Sequence, residues 1–219
     1  MRTRYDLERL REMQMKIAAR VILEDRFRKP IKVITGFDAS FLDDQAVVAA
    51  VSVNYNTLEV IERKVLKEKV HFPYIPTFLG FREGPLVTKL LKKLRVKPDV
   101  LMLDAQGVAH PLFCGCASHV GVLAQKPTIG VAKSLLCGEY REEPREVGAW
   151  VPLVYMGRVV GAVFKSKRGC RPLFVSPGHM ISLASSIQIV KGCVRGYKLP
   201  EPLHLAHRLA VEKRKLLLG

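Results

Sequence analysis

The sequence predicts an α/β fold of 219 residues built around a mixed β-sheet, in which three strands form an antiparallel meander and others run parallel. Early in the chain, three β-rich runs follow one another with only short turns between them. Farther along, short apolar runs alternate with segments of helical spacing, a pattern typical of parallel strands joined by helices. No repeat, low-complexity tract or linker interrupts the sequence, so we expect one domain over residues 1–219.

The charge balance is strongly basic. The net charge is +16, from 36 Lys and Arg residues against 20 Asp and Glu residues, and 48% of the residues are hydrophobic. Such an excess on a chain able to build a core predicts a polyanionic partner, above all nucleic acid. No apolar run approaches the roughly 18 residues needed to span a bilayer, and the first residues lack a signal peptide's apolar core. We therefore expect a cytoplasmic protein without a membrane partner. No apolar helix face is left over, which favours a monomer.

The first elements are a helix and the meander. Residues 2–29 carry apolar side chains at helical spacing among charges, which predicts an amphipathic helix ended by Pro30. Strands are predicted over residues 31–40, 46–53 and 58–70, separated by Asp-Asp and Asn-Thr turn signals.

A proline-bounded loop follows the meander. Pro73 and Pro76 flank Tyr74 and Ile75, which stiffens the loop and directs apolar side chains outward. On a basic protein such a loop is either a wedge that enters a duplex or a segment whose tyrosine packs on its own core. Glu83 comes shortly afterwards, just before the point where a helix to about residue 94 is predicted to begin.

Two acids mark strands of the predicted sheet. Residues 100–103 form a continuous apolar run that stops at Asp104, and Asp38 lies partway along the first strand. Asp104 either caps the next helix or belongs to a site at the strand end. Two carboxylates held close together are unfavourable unless a proton or a cation lies between them. Oxygen ligands of this kind predict Mg²⁺ or Mn²⁺ as the cation. Glu83 could supply a third carboxylate ligand.

The remaining elements alternate between strands and helices. They are predicted as a helix over 112–124, a strand over 126–133, a hairpin of 150–155 and 158–164, a strand over 172–179, and helices over 180–190 and 203–218. Lys133, at the end of its strand, either contacts a phosphate or lies on plain surface. The five cysteines show no paired Cys-x-x-Cys spacing, which predicts buried thiols, with a Cys114–Cys170 disulfide as the alternative.

A series of motifs in the order of the chain is more specific than any of these signals. They are Gly36-Phe37-Asp38, Phe72-Pro73-Tyr74-Ile75-Pro76, Phe81-Arg82-Glu83-Gly84-Pro85, Asp104-Ala105-Gln106-Gly107-Val108-Ala109-His110-Pro111, Ser118-His119, Gly130-Val131-Ala132-Lys133-Ser134, Phe174-Val175-Ser176-Pro177-Gly178-His179, Pro200-Glu201-Pro202 and Leu205-Ala206-His207. Together they resemble the endonuclease V family of deoxyinosine-directed repair nucleases. The resemblance covers residues 30 to 210 and implies a ribonuclease H-like fold.

The resemblance also implies roles for the charged residues. Asp38 and Asp104 match the carboxylates that bind the divalent metal, and Glu83 matches the acid that completes the site. His207 matches a histidine at the metal site, and Lys133 matches a lysine near the scissile phosphate. The implied cofactor is Mg²⁺, for which Mn²⁺ can substitute.

Lesion recognition is implied in the same way. The segment Pro73, Tyr74, Ile75, Pro76 matches the wedge, with Tyr74 contacting DNA at the lesion. Gly107, His110 and Gly130 match the region that receives the flipped hypoxanthine. Ala105 departs from the glycine of many family members, and its methyl group narrows the expected pocket.

The function implied is hydrolysis of the second phosphodiester bond 3′ to deoxyinosine in DNA. One alternative keeps the chemistry but takes inosine in RNA as substrate. A second is a non-catalytic nucleic-acid-binding module. A third is a small-molecule enzyme such as a nucleotide-dependent transferase, which the absence of a Gly-x-Gly-x-x-Gly or phosphate-loop motif disfavours.

Overall fold

An eight-stranded mixed sheet with helices on both faces runs through the protein, in a computed structural model that describes residues 5–216. The strands are β1 (Val33–Leu42), β2 (Gln45–Asn54), β3 (Val60–Lys69), β4 (Val100–Leu103), β5 (Thr128–Ala132), β6 (Trp150–Tyr155), β7 (Arg158–Phe164) and β8 (Leu173–His179). The helices are α1 (Leu7–Ala18), α2 (Leu79–Leu91), α3 (Cys116–Ala124), α4 (Leu183–Gly192) and α5 (Glu201–Lys215).

The strand order is β3-β2-β1-β4-β5-β8-β7-β6. β4 pairs parallel with β1 on one side and with β5 on the other, and the remaining pairs are antiparallel. The predicted mixed sheet, its three-strand meander and the β6–β7 hairpin turned at Met156-Gly157 are therefore confirmed. The short β4 is buried along its whole length, as expected for a strand covered on both faces.

Two hydrophobic cores lie on opposite faces of this sheet. Ile34 of β1 and Met102 of β4 face the core that holds residues of α4 and α5. Phe37 and Leu101, from the same two strands, face the core that holds residues of α2 and α3. This alternation fixes the direction of every side chain near the centre of the sheet.

The first helix is shorter than predicted. Helix α1 ends at Ala18 rather than at Pro30, while predicted residues 2–4 fall outside the described residues. The segment after Ala18 packs against β8 and the start of α4. The Ile22 N–H donates to His179 Nδ1 (3.3 Å), and the Asp25 carboxylate accepts the Ser182 N–H (2.9 Å). These tertiary contacts replace helical hydrogen bonds, so the local apolar spacing was misleading.

Other helix ends also move. Helix α2 begins at Leu79, before Gly84, so Glu83 lies inside the helix rather than in front of it. Helix α3 starts at Cys116 and α4 at Leu183, each after the predicted position. Helix α5 starts at Glu201, two residues early; the predicted end at residue 218 falls outside the described part of the chain.

The cysteines remain thiols. All five are free, and Cys114, Cys116 and Cys193 are buried, so the alternative of a Cys114–Cys170 disulfide is wrong. Among the described helices, none has the length and apolarity that crossing a membrane requires.

Candidate active site

The register of two parallel strands places Asp38 beside Asp104. Phe37 of β1 pairs with Leu103 of β4, and the Asp104 N–H donates to the Phe37 carbonyl at 3.1 Å. Phe37 and Leu103 both face the α2–α3 core. Because successive side chains of a strand alternate between faces, the two aspartates that follow them share the face covered by α5.

Helix α5 reaches this point because residue 36 is a glycine. A Cβ on Gly36 would lie only 2.3 Å from the Pro202 carbonyl oxygen, so only glycine lets the start of α5 rest directly on β1. Farther along the helix, His207 Nδ1 lies 2.7 Å from Asp38 Oδ2. An ionised carboxylate can only accept, so Nδ1 carries the proton and Nε2 is left as the second functional atom of the ring.

Asp38, Asp104 and His207 form a compact cluster that fits a metal ion. One ligand atom from each residue lies within 4.8 Å of the others. Burial raises the pKa of Glu83 to about 8, and the charges of Asp38 and Asp104 add to this rise. Burial, followed by the charge of Asp38, also raises the pKa of Asp104. This excess of negative charge, with two carboxylates and an imidazole as donors, suits a divalent cation.

Glu83 stands apart from the three clustered residues. It extends from α2 and is not part of the group whose ligand atoms lie within 4.8 Å, although the charges of Asp38 and Asp104 act on it. It is therefore a neighbour of the cluster that can carry or release a proton near neutral pH.

Lys133 contributes the positive charge of the site. It follows β5, which pairs with β4 so that Gly130 lies opposite Leu103. Its ammonium group forms an ion pair with Asp104, the residue that follows Leu103. The lysine predicted at the strand end thus lies at the carboxylates and not on remote surface.

A pocket of about 280 Å³ opens beside this cluster. Its walls include residues 74–77, 104–106 and 132–134, together with His110 and Leu136. Tyr74, at its rim, is 69% exposed. The alternative in which this tyrosine packs on its own core is therefore wrong. Ile75 and Pro76 line the pocket as well, whereas Pro73 is not among the lining residues.

The predicted glycines lie behind the pocket wall. A Cβ on Gly107 would lie 2.2 Å from the Pro177 carbonyl oxygen, and one on Gly130 would lie 2.3 Å from the Gly107 nitrogen. Both glycines therefore allow close backbone packing, while the pocket surface itself is formed by Ala105, Gln106 and others.

Several pocket residues were missed in the sequence. Gln106 donates its side-chain N–H to the Ser134 carbonyl at 2.9 Å and so joins two of the walls. Gly115 and Leu136 also line the pocket. Gln106 lies inside the motif that follows Asp104, so its position there was the available signal. Nothing in the spacing pointed to Leu136.

The sheet order, with paired carboxylates at its centre, defines a protein of the ribonuclease H-like class. The endonuclease V family model matches residues 15–208. Endonuclease V of Rippkaea orientalis is 42% identical over 215 residues, which cover 97% of this chain and 93% of that protein. The chain belongs to the endonuclease V family.

Solved structures agree with this assignment. The crystal structure of endonuclease V from Streptomyces avermitilis superposes with a TM-score of 0.90 at 34% identity, over 98% of this chain and 95% of that one. Endonuclease V of Ciona intestinalis, solved with a 24mer DNA containing an inosine followed by a ribo-adenosine, gives a TM-score of 0.84 at 27% identity. That match covers 96% of this chain and 98% of the other.

Proposed function

We propose that this protein is a metal-dependent endodeoxyribonuclease that recognises deoxyinosine and hydrolyses the second phosphodiester bond on its 3′ side. The observation that carries the proposal is the adjacency of two features. The cluster of Asp38, Asp104 and His207 adjoins a pocket whose rim carries an exposed tyrosine. A cleavage centre beside a cavity for an extruded base is the arrangement that lesion-directed cutting requires.

Tyr74 and the pocket provide for the damaged base. Extruding a base costs a few kcal/mol, and less when the base pairs poorly, as inosine does with most partners. The exposed Tyr74 ring would fill the gap left in the duplex and reduce that cost further. The structure of the Ciona relative with inosine-containing DNA supports the same class of substrate here.

The charged residues provide for the hydrolysis. A Mg²⁺ or Mn²⁺ ion would be held by Asp38 and Asp104, with either His207 or Glu83 as the third ligand. Such an ion would supply positive charge to the phosphate and lower the pKa of a bound water. Asp38 orients the His207 ring through Nδ1. This leaves Nε2 either to bind the ion or, where Glu83 is the third ligand instead, to accept or deliver a proton. Lys133, paired with Asp104, would stabilise the negative charge that develops on the phosphate oxygens.

A nicking assay tests this proposal. A labelled duplex with a single deoxyinosine is incubated with wild-type protein or Asp104→Ala, in Mg²⁺, Mn²⁺ or EDTA. We expect a nick directly after the first nucleotide 3′ to inosine, absent in EDTA and lost in the variant.

Asp99→Ala is the matched control for this assay. Asp99 accepts the N–H groups of Lys32 and Val33 at 2.8 and 2.9 Å, away from the cluster. The variant should therefore be less stable than wild type but should still cut. Cutting in EDTA would contradict the metal dependence of the proposed mechanism. No cutting by wild type in either metal, with binding unaffected by Asp38→Ala, would instead favour a non-catalytic binding module.

Inosine in RNA is the second candidate substrate. The DNA bound by the Ciona relative carries a ribo-adenosine directly after the inosine, so a ribose at that position is compatible with the relative's binding surface. A set of duplexes and single strands with deoxyribose or ribose after inosine separates the two substrates, because a 2′-hydroxyl contact would appear as a rate preference for ribose.

A further inference from the structure

Helix α1 and the residue before its cap hold both ends of the Tyr74 loop, which we define as residues 70–78. At the start of the loop, the Tyr5 hydroxyl donates to the His71 carbonyl at 2.9 Å, and the Tyr5 ring lies 4.7 Å from that of Phe72. At its end, the Gln14 side-chain N–H donates to the Thr77 carbonyl at 2.7 Å. Tyr74 lies between these two attachments.

The Thr77 carbonyl also accepts a second donor. His110 Nε2 lies 2.8 Å from the same oxygen, and the Leu112 N–H donates to His110 Nδ1 at 3.1 Å. Because Nδ1 must accept from Leu112, the proton of the neutral ring is on Nε2, which donates to Thr77. Gln14 and His110 are 1% and 2% exposed, so water does not compete for either bond.

The backbone at Thr77 needs this support. Its φ is +70°, a left-handed conformation that β-branched residues rarely adopt. A conformation of this kind persists only where the surroundings hold it in place. Two buried donors on one carbonyl oxygen are such a restraint, since they fix the orientation of the peptide that ends the loop.

We infer that Gln14 is a positioning residue, which holds the Tyr74 loop in its binding conformation before the nucleic acid arrives. This inference rests on the proposed function, since it concerns the loop that would contact the lesion. A loop ordered in advance avoids the entropy cost of ordering on binding, so its restraint raises the affinity for the lesion. His110 belongs to the segment that follows Asp104, so the same carbonyl ties the loop to the carboxylate strand.

The test uses Gln14→Met, which keeps the length of the side chain and removes the donor. In the free protein, we expect hydrogen exchange of the amides in residues 71–78 to become at least about tenfold faster. With a deoxyinosine duplex, we expect KM to rise about tenfold with kcat unchanged, while the affinity for an undamaged duplex stays the same.

A double-mutant cycle with Tyr74→Ala separates positioning from general damage. If Gln14 acts through the loop, adding Gln14→Met to Tyr74→Ala should raise KM no further. Gln125→Met is the matched control, since Gln125 also donates its amide to a backbone carbonyl, that of Val122 at 2.6 Å, away from the loop. Tyr5→Phe, which removes only the hydroxyl at the other attachment, should shift exchange and KM in the same direction and serves if Gln14→Met does not fold.

Unchanged exchange in residues 71–78, or an equal loss of affinity for damaged and undamaged duplexes, would overturn the inference. So would full additivity of Gln14→Met and Tyr74→Ala. A wild-type protein that neither cuts nor prefers the deoxyinosine duplex would instead overturn the proposed function, and the exchange measurement would still decide whether Gln14 orders the loop.

Discussion

The crowded negative charges at the site oppose the ionisation of Glu83. Its pKa is raised from an ordinary value of 4.5 to about 8 in the folded protein, because burial and the charges of Asp38 and Asp104 disfavour the ionised carboxylate. A carboxyl group with a raised folded pKa contributes most stability below pH 4.5 and loses that contribution as the pH rises through about 8. The metal-free protein should therefore become less stable across this pH range.

Glu83→Gln removes this titration. In EDTA, the melting temperature of wild type should fall more than that of the variant between about pH 5 and about pH 8, by about 5 K or more. Thermal unfolding of both proteins across this range is the measurement. Added Mn²⁺ should reduce the wild-type loss, since a cation favours the ionised carboxylates. Parallel curves for the two proteins would contradict the expected role of Glu83.

For individual residues, the sequence patterns predicted some members of the site and missed others. The meeting of Asp38 with Asp104 follows from acids placed along neighbouring strands, and Lys133 follows from a strand end. The protonation of Glu83 could not be read from the sequence, since it depends on burial by α2 and on distances to two other acids. The bonds of Gln14 and Gln106 to distant carbonyls likewise exist only once the chain has folded.

At the scale of elements, the contact between β1 and α5 sets the position of His207. Gly36→Ala would place a methyl group 2.3 Å from the Pro202 carbonyl oxygen, so α5 must move away from the sheet. We expect a loss of about 2–3 kcal/mol in the free energy of unfolding and at least about a tenfold loss of nicking rate. Denaturant unfolding and the single-turnover rate measure the two effects.

Gly84→Ala is the matched control for that change. A Cβ there would meet nothing nearer than the 3.7 Å contacts with His119 and Val120, and an alanine favours the helix. Its stability should be equal to or greater than that of wild type. Equal losses in the two glycine variants would show that the β1–α5 contact has no special role.

His119 links α3 to α2 and should make the protein sensitive to acid. Burial lowers the pKa of its imidazole to about 4 from 6.5, and Phe81 of α2 packs edge-on against it with centroids 4.9 Å apart. A base with a depressed folded pKa contributes full stability above pH 6.5 and loses it as the pH falls through about 4. Between pH 6.5 and about pH 4, the unfolded chain binds a proton at His119 and the folded chain does not.

His119→Gln should flatten this dependence. Between about pH 7 and about pH 4.5, wild type should lose up to about 3 kcal/mol more free energy of unfolding than the variant. Urea unfolding at the two pH values gives the difference, from which any constant cost of the substitution cancels. A variant that loses as much as wild type would exclude His119 as the source.

Helix ends show where local patterns stop being sufficient. The spacing of apolar residues continues past Ala18, yet β8 and α4 bind the following segment through its backbone N–H and Asp25. Pro85 indicated a helix start, but hydrogen bonds from Phe78 to Ile75 and from Phe81 to Phe78 begin the turn earlier. Strands whose partners are adjacent in sequence were predicted better, because their turns are local.

For the whole molecule, the basic charge should govern binding that is independent of sequence. With a net charge of +16, we expect the affinity for undamaged duplex DNA to fall roughly a hundredfold between about 50 and about 200 mM salt. Fluorescence anisotropy across this range measures the slope. The proposed preference for deoxyinosine over a normal base should change much less with salt, since it would arise from the pocket. A salt-independent affinity would exclude counterion release as the source of binding.

The contact of α5 with β1 also has a consequence for synthesis on the ribosome. Asp38 and Asp104 are synthesised long before His207, which lies in α5, 103 residues after Asp104. The cluster cannot close until α5 leaves the exit tunnel and settles against Gly36. A nascent chain that has not yet reached α5 therefore holds both acids without the histidine of the cluster.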